Sequence, residues 1–309
     1  MNVDGTHIKA NASKHKSVRY DRAGELERQL RVDIEELIEQ AEQIDRNETE
    51  DGNRLPEEIS RREKLREKML EARRRLEKRA EEKVRAHQER EEAERRENPG
   101  KRAKKPPSGT PEDSQQMNLV DPDSSIMRKS RRDGWQQAYN AQIVVDAEGS
   151  RLILGEYVIQ SPSDANEIEP ALASIDDQMG MPERVLADAG YVNADAIERV
   201  QKNGTEVYVA ISAADHGHRR YDYRPVKPHK QKKKVKDPRL LAMKEKLATE
   251  EGKKIYAKRK STVEPVFAII KAAMGFRQFL LRGHEKVNIE WTLVCTAYNL
   301  KRLWALRPG

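Results

Sequence analysis

The fold class is decided by the segment Ala141-Gln142-Ile143-Val144-Val145-Asp146. This apolar run lies within Trp135–Asp146 and predicts a strand with a buried stretch. The following stretch, Arg151–Gln160, has the same strand-like composition. Between them, Glu148-Gly149-Ser150 has the composition of a turn, so the pattern predicts two antiparallel strands joined as a hairpin.

Shorter elements alternate after this hairpin. The pattern predicts, in order, a helix over Asp164–Met179 with Asp164 as its N-cap, a buried strand over Arg184–Asp188, a helix over Ala194–Lys202, a strand over Glu206–Ile211, and helices over Ser261–Met274 and Ile289–Trp304. Strands come first, then alternating helices and strands, then helices. This order predicts an α/β domain built on a mixed sheet flanked by helices.

A charged helical segment precedes this domain. Apolar residues recur at alternating steps of three and four from Leu26 to Ile44 and again from Leu65 to Val84, and Asp51-Gly52-Asn53 separates the two runs. The pattern predicts a long antiparallel helical hairpin that resembles a coiled coil. Its use would be as a spacer, a dimer arm or a support for DNA; a partly disordered charged helix without a defined partner is the equal alternative.

These patterns divide the chain into four parts. Residues 1–20 would hold the first strand of the compact core, and 21–98 would form the inserted hairpin. A linker rich in Lys, Pro, Ser and Gly would cover 99–117. The rest of the compact domain would occupy 118–309, with a basic insertion at 213–250.

The charge is distributed unevenly. The 60 Lys and Arg against 53 Asp and Glu give a net charge of +7, but residues 215–260 alone hold 17 basic and 6 acidic residues. A block this basic beside a folded core points to a polyanion, and nucleic acid is the first candidate. Lys232, Lys233 and Lys234 are candidate phosphate contacts; a solvated loop without a partner is the alternative.

The composition excludes several classes of protein. The chain has no apolar run of about 18 residues, and Met1 leads into polar sequence, so we expect no membrane span and no secretory signal. The single Cys295 excludes a disulfide scaffold and a thiolate zinc cluster, and fits a reducing cytoplasm. Neither a Gly-x-Ser-x-Gly nucleophile motif nor a P-loop is present.

Three acidic residues lie at positions that favour a ligand-binding carboxylate over a solvent-exposed one. Asp4 lies near the start of the chain, Asp188 ends an apolar strand, and Glu264 borders the apolar stripe of a helix. Carboxylates from separate elements can hold two Mg²⁺ ions about 4 Å apart for phosphodiester chemistry. From the pattern alone, a turn-capping Asp and a partly exposed helical Glu are the alternatives.

Four motifs, in the same order along the chain, resemble those of the DDE-type transposases of bacterial insertion sequences. Asn2–Lys14 is similar to the first-aspartate motif, and Leu119–Ser124 with Gly134–Asp146 is similar to the segments at the next strands. Val185–Tyr191 resembles the second-aspartate motif, and Thr262–Lys271 resembles the glutamate motif with its following lysine. The motifs touch both ends and most of the interior, excluding the hairpin and the linker.

The resemblance implies a ribonuclease H-like catalytic fold in which Asp4, Asp188 and Glu264 are the catalytic ligands of Mg²⁺ or Mn²⁺. Lys271 would contact DNA phosphate beside the scissile bond. The helical hairpin would be an insertion between the first and second core strands.

Two further residues, Tyr256 and Arg259, resemble the upstream part of the family's Tyr-Arg-Glu-Lys signature. Arg259 is one residue farther from Glu264 than the signature asks, and Lys260 occupies the expected arginine position. The resemblance therefore implies DNA contacts at Tyr256 and at Arg259 or Lys260.

The predicted activity is that of a DNA transposase, which hydrolyses a phosphodiester at a transposon end so that the freed 3′-hydroxyl attacks target DNA. A homodimer through the hairpin is a further expectation. Members of the family usually carry an N-terminal helical domain, whereas this chain begins three residues before Asp4. The alternative is therefore a truncated, inactive remnant that only binds DNA or dimerises; a nuclease that cleaves without joining ends is the third possibility.

Overall fold

The computed structural model of the chain describes residues 1–46, 55–97, 100, 105–128, 134–211 and 235–307. Lys232, Lys233 and Lys234 lie outside these ranges, as does most of the predicted basic insertion. The described chain divides into two compact units. The first comprises Met1–Asn11, Met127–Gly134 and Ala138–Gly309, and the second comprises Ala12–Ile126 with Trp135–Gln137.

The strands and helices that the sequence patterns predict occur in the expected order, together with four additional ones. The strands are β1 (Asn2–Lys9), β2 (Ser17–Arg19), β3 (Gln116–Asn118), β4 (Ser125–Met127), β5 (Gln136–Val145), β6 (Ile153–Ile159), β7 (Arg184–Ala187) and β8 (Glu206–Val209). The helices are α1 (Tyr20–Arg46), α2 (Leu55–Glu97), α3 (Ile168–Ala173), α4 (Ala194–Lys202), α5 (Pro238–Ala248), α6 (Glu250–Ala268) and α7 (His284–Ala305). The elements additional to the predicted ones are β2, β3, β4 and α5.

The sheet of the first unit has its strands in the spatial order β6-β5-β1-β7-β8, and β4 also pairs with β5. β1 is antiparallel to β5 over its whole length, and β5 is antiparallel to β6, so the predicted hairpin is present. β7 is parallel to both β1 and β8. Three antiparallel strands followed by two parallel ones make a ribonuclease H-like mixed sheet, which confirms the predicted fold class.

Helices cover both faces of this sheet. On one face, Val3 and Val144 pack with apolar residues of α3 and α4. On the other face, Leu186 and Tyr208 pack with residues of α5 and α6. Every residue of β7 after Arg184 is buried, because a parallel strand covered on both sides is shielded from water.

The second unit is the helical hairpin with two short strands at its base. Buried residues of α1 and α2, among them Leu30, Met69 and Leu76, form its core. Val18 of β2 and Met117 of β3 join the same core, because β2 and β3 pair antiparallel. The unit comprises Ala12–Ile126 with Trp135–Gln137, and the division predicted at 21–98 and 99–117 stays a prediction.

Two helices differ in length from the predictions. The helix predicted over Asp164–Met179 is limited to α3, followed by a separate 3₁₀ turn at Asp177–Met179. The helix predicted from Ser261 starts earlier, because Thr249 caps α6 by accepting a hydrogen bond from Gly252 N. After α6 the chain continues as a π-helical turn, Ile269–Ala273.

Within the described ranges, no helix combines the length and the apolar character that a membrane crossing requires.

Candidate active site

Asp4 and Asp188 come together through the pairing of two strands. Asn2 of β1 is the partner of Leu186 of β7 in the parallel ladder. Asp4 and Asp188 each lie two residues farther along, so both are expected on the same face of the sheet, at the carboxyl end of β7. Neighbouring strands lie about 4.8 Å apart, which is close enough for the two carboxylates to interact. The charge of Asp188 accordingly raises the pKa of Asp4.

Asp188 also caps the turn that follows its strand. Its Oδ1 accepts a hydrogen bond of 2.7 Å from Gly190 N, within the 3₁₀ turn Ala189–Tyr191. The turn-capping role that the sequence left open is therefore present. Because this bond holds the carboxylate at the strand end, it also fixes the position of Asp188 relative to Asp4.

Asp4 is a half-buried carboxylate with one cationic partner. Its Oδ1 accepts from Gly5 N at 2.9 Å, and its Oδ2 accepts from Arg259 Nη1 at 3.2 Å. The pKa of Asp4 is raised to about 7 in total: burial is the main cause and the charges of Asp188 and Asp164 add to it, whereas Arg259 and the Gly5 N–H act in the opposite direction. Ionisation of a second carboxylate beside Asp4 is therefore unfavourable unless a cation balances the added negative charge.

Asp164 lies near Gly190 and was predicted only as a helix N-cap, whereas the N-cap of α3 is Glu167. The Oδ1 atom of Asp164 accepts one hydrogen bond from Asn140 Nδ2 and another from Gln142 Nε2, each 2.7 Å long. Asn140 and Gln142 are 1% and 0% exposed and lie at alternate positions of β5, on the same face as Val144. The sequence did contain a signal for this contact, namely two amide side chains at alternate positions of a buried strand. Such side chains need a hydrogen-bond partner when they are buried.

Helix α6 positions Arg259 beside Asp4 and is hydrogen-bonded to residues of β1 and β7. The amide of Asn2 donates to Arg259 O at 2.9 Å and to Thr262 Oγ1 at 2.6 Å. The hydroxyl of Tyr256 donates to Ala187 O at 3.2 Å, directly before Asp188. The structure therefore brings Tyr256 and Arg259 to the two aspartates. Lys260, the alternative arginine position, is exposed.

Glu264 and Lys271 occupy different surroundings. Glu264 is exposed on α6, whose buried residues are Gly252, Thr262, Val263 and Val266. Lys271 lies in the π-helical turn, and its Nζ donates to Thr6 Oγ1 at 2.5 Å and to His7 O at 3.0 Å. Lys271 is therefore held against β1 just beyond Asp4.

The donor atoms of the site fit a hard divalent cation. In the part of the chain that the structure describes, no three His, Cys, Asp or Glu side chains already form a group that could hold one metal ion, so Glu264 is not in such a group with Asp4 and Asp188. Asp4 and Asp188 offer carboxylate oxygens only, which are the ligands that Mg²⁺ and Mn²⁺ prefer. The ion pair of Asp4 with Arg259 shows that a positive charge is already accommodated there.

The model of a family described as the transposase DDE domain matches residues 104–300. This chain belongs to the transposase DDE domain family. The family predicted from the four motifs is thereby confirmed, and its members are enzymes that act on DNA and generally use divalent metal ions. The matched residues of this transposase-family chain include Asp164, Asp188 and Glu264, whereas Asp4 lies before them. No curated protein and no solved structure matches the chain.

Proposed function

We propose that this chain is a DNA transposase that hydrolyses a phosphodiester at the end of a transposable element and joins the freed 3′-hydroxyl to target DNA. One observation carries the proposal: strand pairing in a ribonuclease H-like sheet aligns Asp4 with Asp188 at the carboxyl end of β7, in a chain of the transposase DDE domain family. Open α/β sheets place their reactive groups at such strand ends.

Asp4 and Asp188 would hold the divalent ions, Mg²⁺ or Mn²⁺. A bound ion supplies activation of water or of a 3′-hydroxyl and stabilises the leaving oxygen of the phosphodiester. Arg259 balances the charge of Asp4 while no such ion is bound. The hydrogen bonds of Asn2 and Tyr256 to α6 and β7 keep Arg259 at this position.

The resemblance assigns Glu264 as the third ligand, and this assignment stays a prediction. An exposed carboxylate on α6 is able to change rotamer at little cost, because no packing restrains it. For DNA contacts, the candidates are Lys271, which lies against β1, with Tyr256 and Arg259 beside the aspartates. Lys260 and the three lysines 232–234 supply further positive charge.

DNA at the element ends and at the target is the proposed partner, and the cytoplasm is the proposed compartment. A homodimer through the hairpin of α1 and α2 is a further proposal. Light scattering of the full chain, with and without DNA, would test the dimer directly. A monomeric mass in both conditions would contradict it.

The test of the proposed function is Asp188→Asn in the full chain, assayed on duplex DNA that carries the inverted repeats flanking the gene. Mn²⁺-dependent nicking is expected to fall at least 100-fold, while salt-sensitive DNA binding by gel shift is retained. Asp176→Asn is the matched control, because Asp176 caps an exposed 3₁₀ turn elsewhere in the same unit.

Each alternative gives a different result in this assay. A wild-type chain that binds DNA but never nicks it at any Mn²⁺ concentration is the inactive remnant. Cleavage without joined products identifies a nuclease that lacks strand transfer. Unchanged nicking by Asp188→Asn removes Asp188 from the site.

A further inference from the structure

Helix α7 is held against the sheet by one face and leaves the opposite face exposed. Its buried residues are Val287, Trp291, Cys295 and Tyr298. Asn288 Oδ1 accepts a hydrogen bond of 2.9 Å from Val158 N, and Asn299 Oδ1 accepts one of 2.9 Å from Ile153 N. Both donors belong to β6, at one end of the sheet. The two asparagines therefore fix the orientation of α7 on the sheet and the direction of its exposed face.

The exposed face of α7 carries apolar side chains at a regular spacing. Steps of four, three, four and three residues connect Ile289, Leu293, Thr296, Leu300 and Leu303. All five are exposed, the four aliphatic ones by 50–65% of their surface. An outward helix face is ordinarily polar, whereas alternating steps of four and three are the spacing with which two helices pack along one seam.

The area of this row is comparable with that of an interface. Trp304, beside Leu303, is 70% exposed. Together with the four aliphatic side chains it exposes roughly 600 Å² on one copy, which is as large as the largest apolar patch of a typical monomer. Pairing two copies would bury roughly 1,200 Å², the lower limit for a specific and stable interface.

The charges of the two halves of α7 favour one direction of pairing. With histidine counted as neutral, residues 284–295 have a net charge of −1, and residues 296–307 have a net charge of +3. Two parallel copies would bring the two positive halves together. In an antiparallel pair each N-terminal half lies beside the C-terminal half of the other copy, so that opposite net charges meet.

We propose that the exposed face of α7 is the surface through which two copies of this chain pair, with their α7 helices antiparallel about a two-fold axis near Thr296. A two-fold axis makes the row meet itself in reverse order, so Ile289 of each copy faces Leu303 of the other. This inference goes beyond the proposed function, because the pairing requires neither DNA nor a metal ion. The surface is also separate from the hairpin of α1 and α2.

The first experiment measures the mass of the full chain by light scattering over a dilution series, without DNA or metal ions. The wild type is expected to reach twice its monomer mass of 35.6 kDa. The double substitution Leu293→Glu and Leu300→Glu is expected to weaken pairing at least 100-fold, because two carboxylates would lose their water in the centre of the row. Both side chains are exposed in a single copy, and circular dichroism verifies that the variant is folded.

Val32→Glu is the matched control. Val32 is an exposed aliphatic residue of α1, with 47% of its surface accessible, so this variant places the same charge on the hairpin. It is expected to pair as the wild type does. A monomeric wild type, a dimer that survives the double substitution, or equal dissociation by the control would overturn the proposal.

A second experiment tests the direction of the pair and leaves the apolar row intact. Lys286→Cys, in a Cys295→Ser background, allows one spin label at an exposed position near the start of α7. In the antiparallel pair the two labels are expected roughly 30 Å apart by electron–electron double resonance. Labels within about 15 Å of each other would indicate a parallel pair, and the absence of any dipolar coupling a monomer; either result overturns the proposal. If the double substitution does not fold, this measurement decides.

Discussion

Arg259 and Asp4, which are 255 residues apart in the chain, form a half-buried ion pair with Nη1 and Oδ2 3.2 Å apart. The pair joins helix α6 to strand β1. It places a permanent positive charge beside the aspartate that is expected to bind a divalent ion. Several measurable properties of the protein depend on this contact.

Replacing Arg259 by Gln is expected to destabilise the metal-free protein by about 1–3 kcal/mol at pH 8, because it leaves a buried carboxylate without its cation. At pH 5 the loss is smaller, since Asp4 is then mostly protonated. Urea unfolding at both pH values measures the difference. Lys260→Gln, an exposed neighbour, is the control and should change stability by less than about 0.5 kcal/mol.

The stability of the metal-free protein should depend on Asp4 in a defined direction. The pKa of Asp4 is raised from 3.8 to about 7, so the folded state keeps the proton between these values while the unfolded state has lost it. This contribution to the free energy of unfolding therefore falls as pH rises from 4 to 7 and is constant above that, with an upper limit of about 4 kcal/mol.

Asp4→Asn is expected to remove that dependence. Unfolding of the variant in the presence of a chelator should change less between pH 5 and pH 8 than unfolding of the wild type. The same variant should lose Mn²⁺-dependent nicking. An unaltered pH profile would show that Asp4 is ionised at neutral pH without any cost.

Glu264→Gln separates a catalytic role from a structural one. Because Glu264 is exposed, the substitution is expected to change the free energy of unfolding by less than about 0.5 kcal/mol. If the carboxylate is a ligand as the resemblance implies, nicking falls at least 100-fold. Glu245→Gln on α5, also exposed, is the control; equal nicking by both variants would exclude Glu264 from the site.

The core of the hairpin should be sensitive to a single large-to-small change. Leu76 is fully buried among Leu30, Met69 and Met117, so Leu76→Ala is expected to cost about 2–5 kcal/mol in that unit. Leu65→Ala removes the same atoms from a side chain that is 42% exposed and should cost much less. Thermal unfolding of the two variants, followed by helical circular dichroism, makes the comparison.

The salt dependence of DNA binding tests the basic lysines that lie outside the described residues. If Lys232, Lys233 and Lys234 each contact a phosphate, replacing all three by Gln should lower the slope of log affinity against log salt by about 2 to 3. Gel shifts at several salt concentrations give this slope. Weaker binding with an unchanged slope would mean that these lysines do not neutralise phosphates.

Local patterns were sufficient for most of the elements and supplied candidates for the site. The alternating three- and four-residue steps predicted α1 and α2, and the apolar runs predicted β5, β6, β7 and the mixed sheet. Asp188 was identifiable because it directly follows a buried strand. These predictions succeed because the periodicity of buried residues reflects the secondary structure of the same short segment.

Contacts between segments that are far apart in the sequence could not be predicted from local patterns. Asp164 looked like a helix cap, since nothing in its own segment shows that Asn140 and Gln142 of another strand hold it. The limits of the hairpin unit likewise depend on the pairing of β2 with β3.

The amino-acid sequence alone predicted most of the helices and strands, the family resemblance and three candidate metal ligands, Asp4, Asp188 and Glu264. The tertiary structure determines which side chains come into contact. Strand β1 pairs with β7, helix α6 positions Arg259 beside Asp4, and Gly5 and Gly190 leave space for Asp164. The physical reason is that strand order, register and close approach are properties of non-local packing, and no short segment contains them.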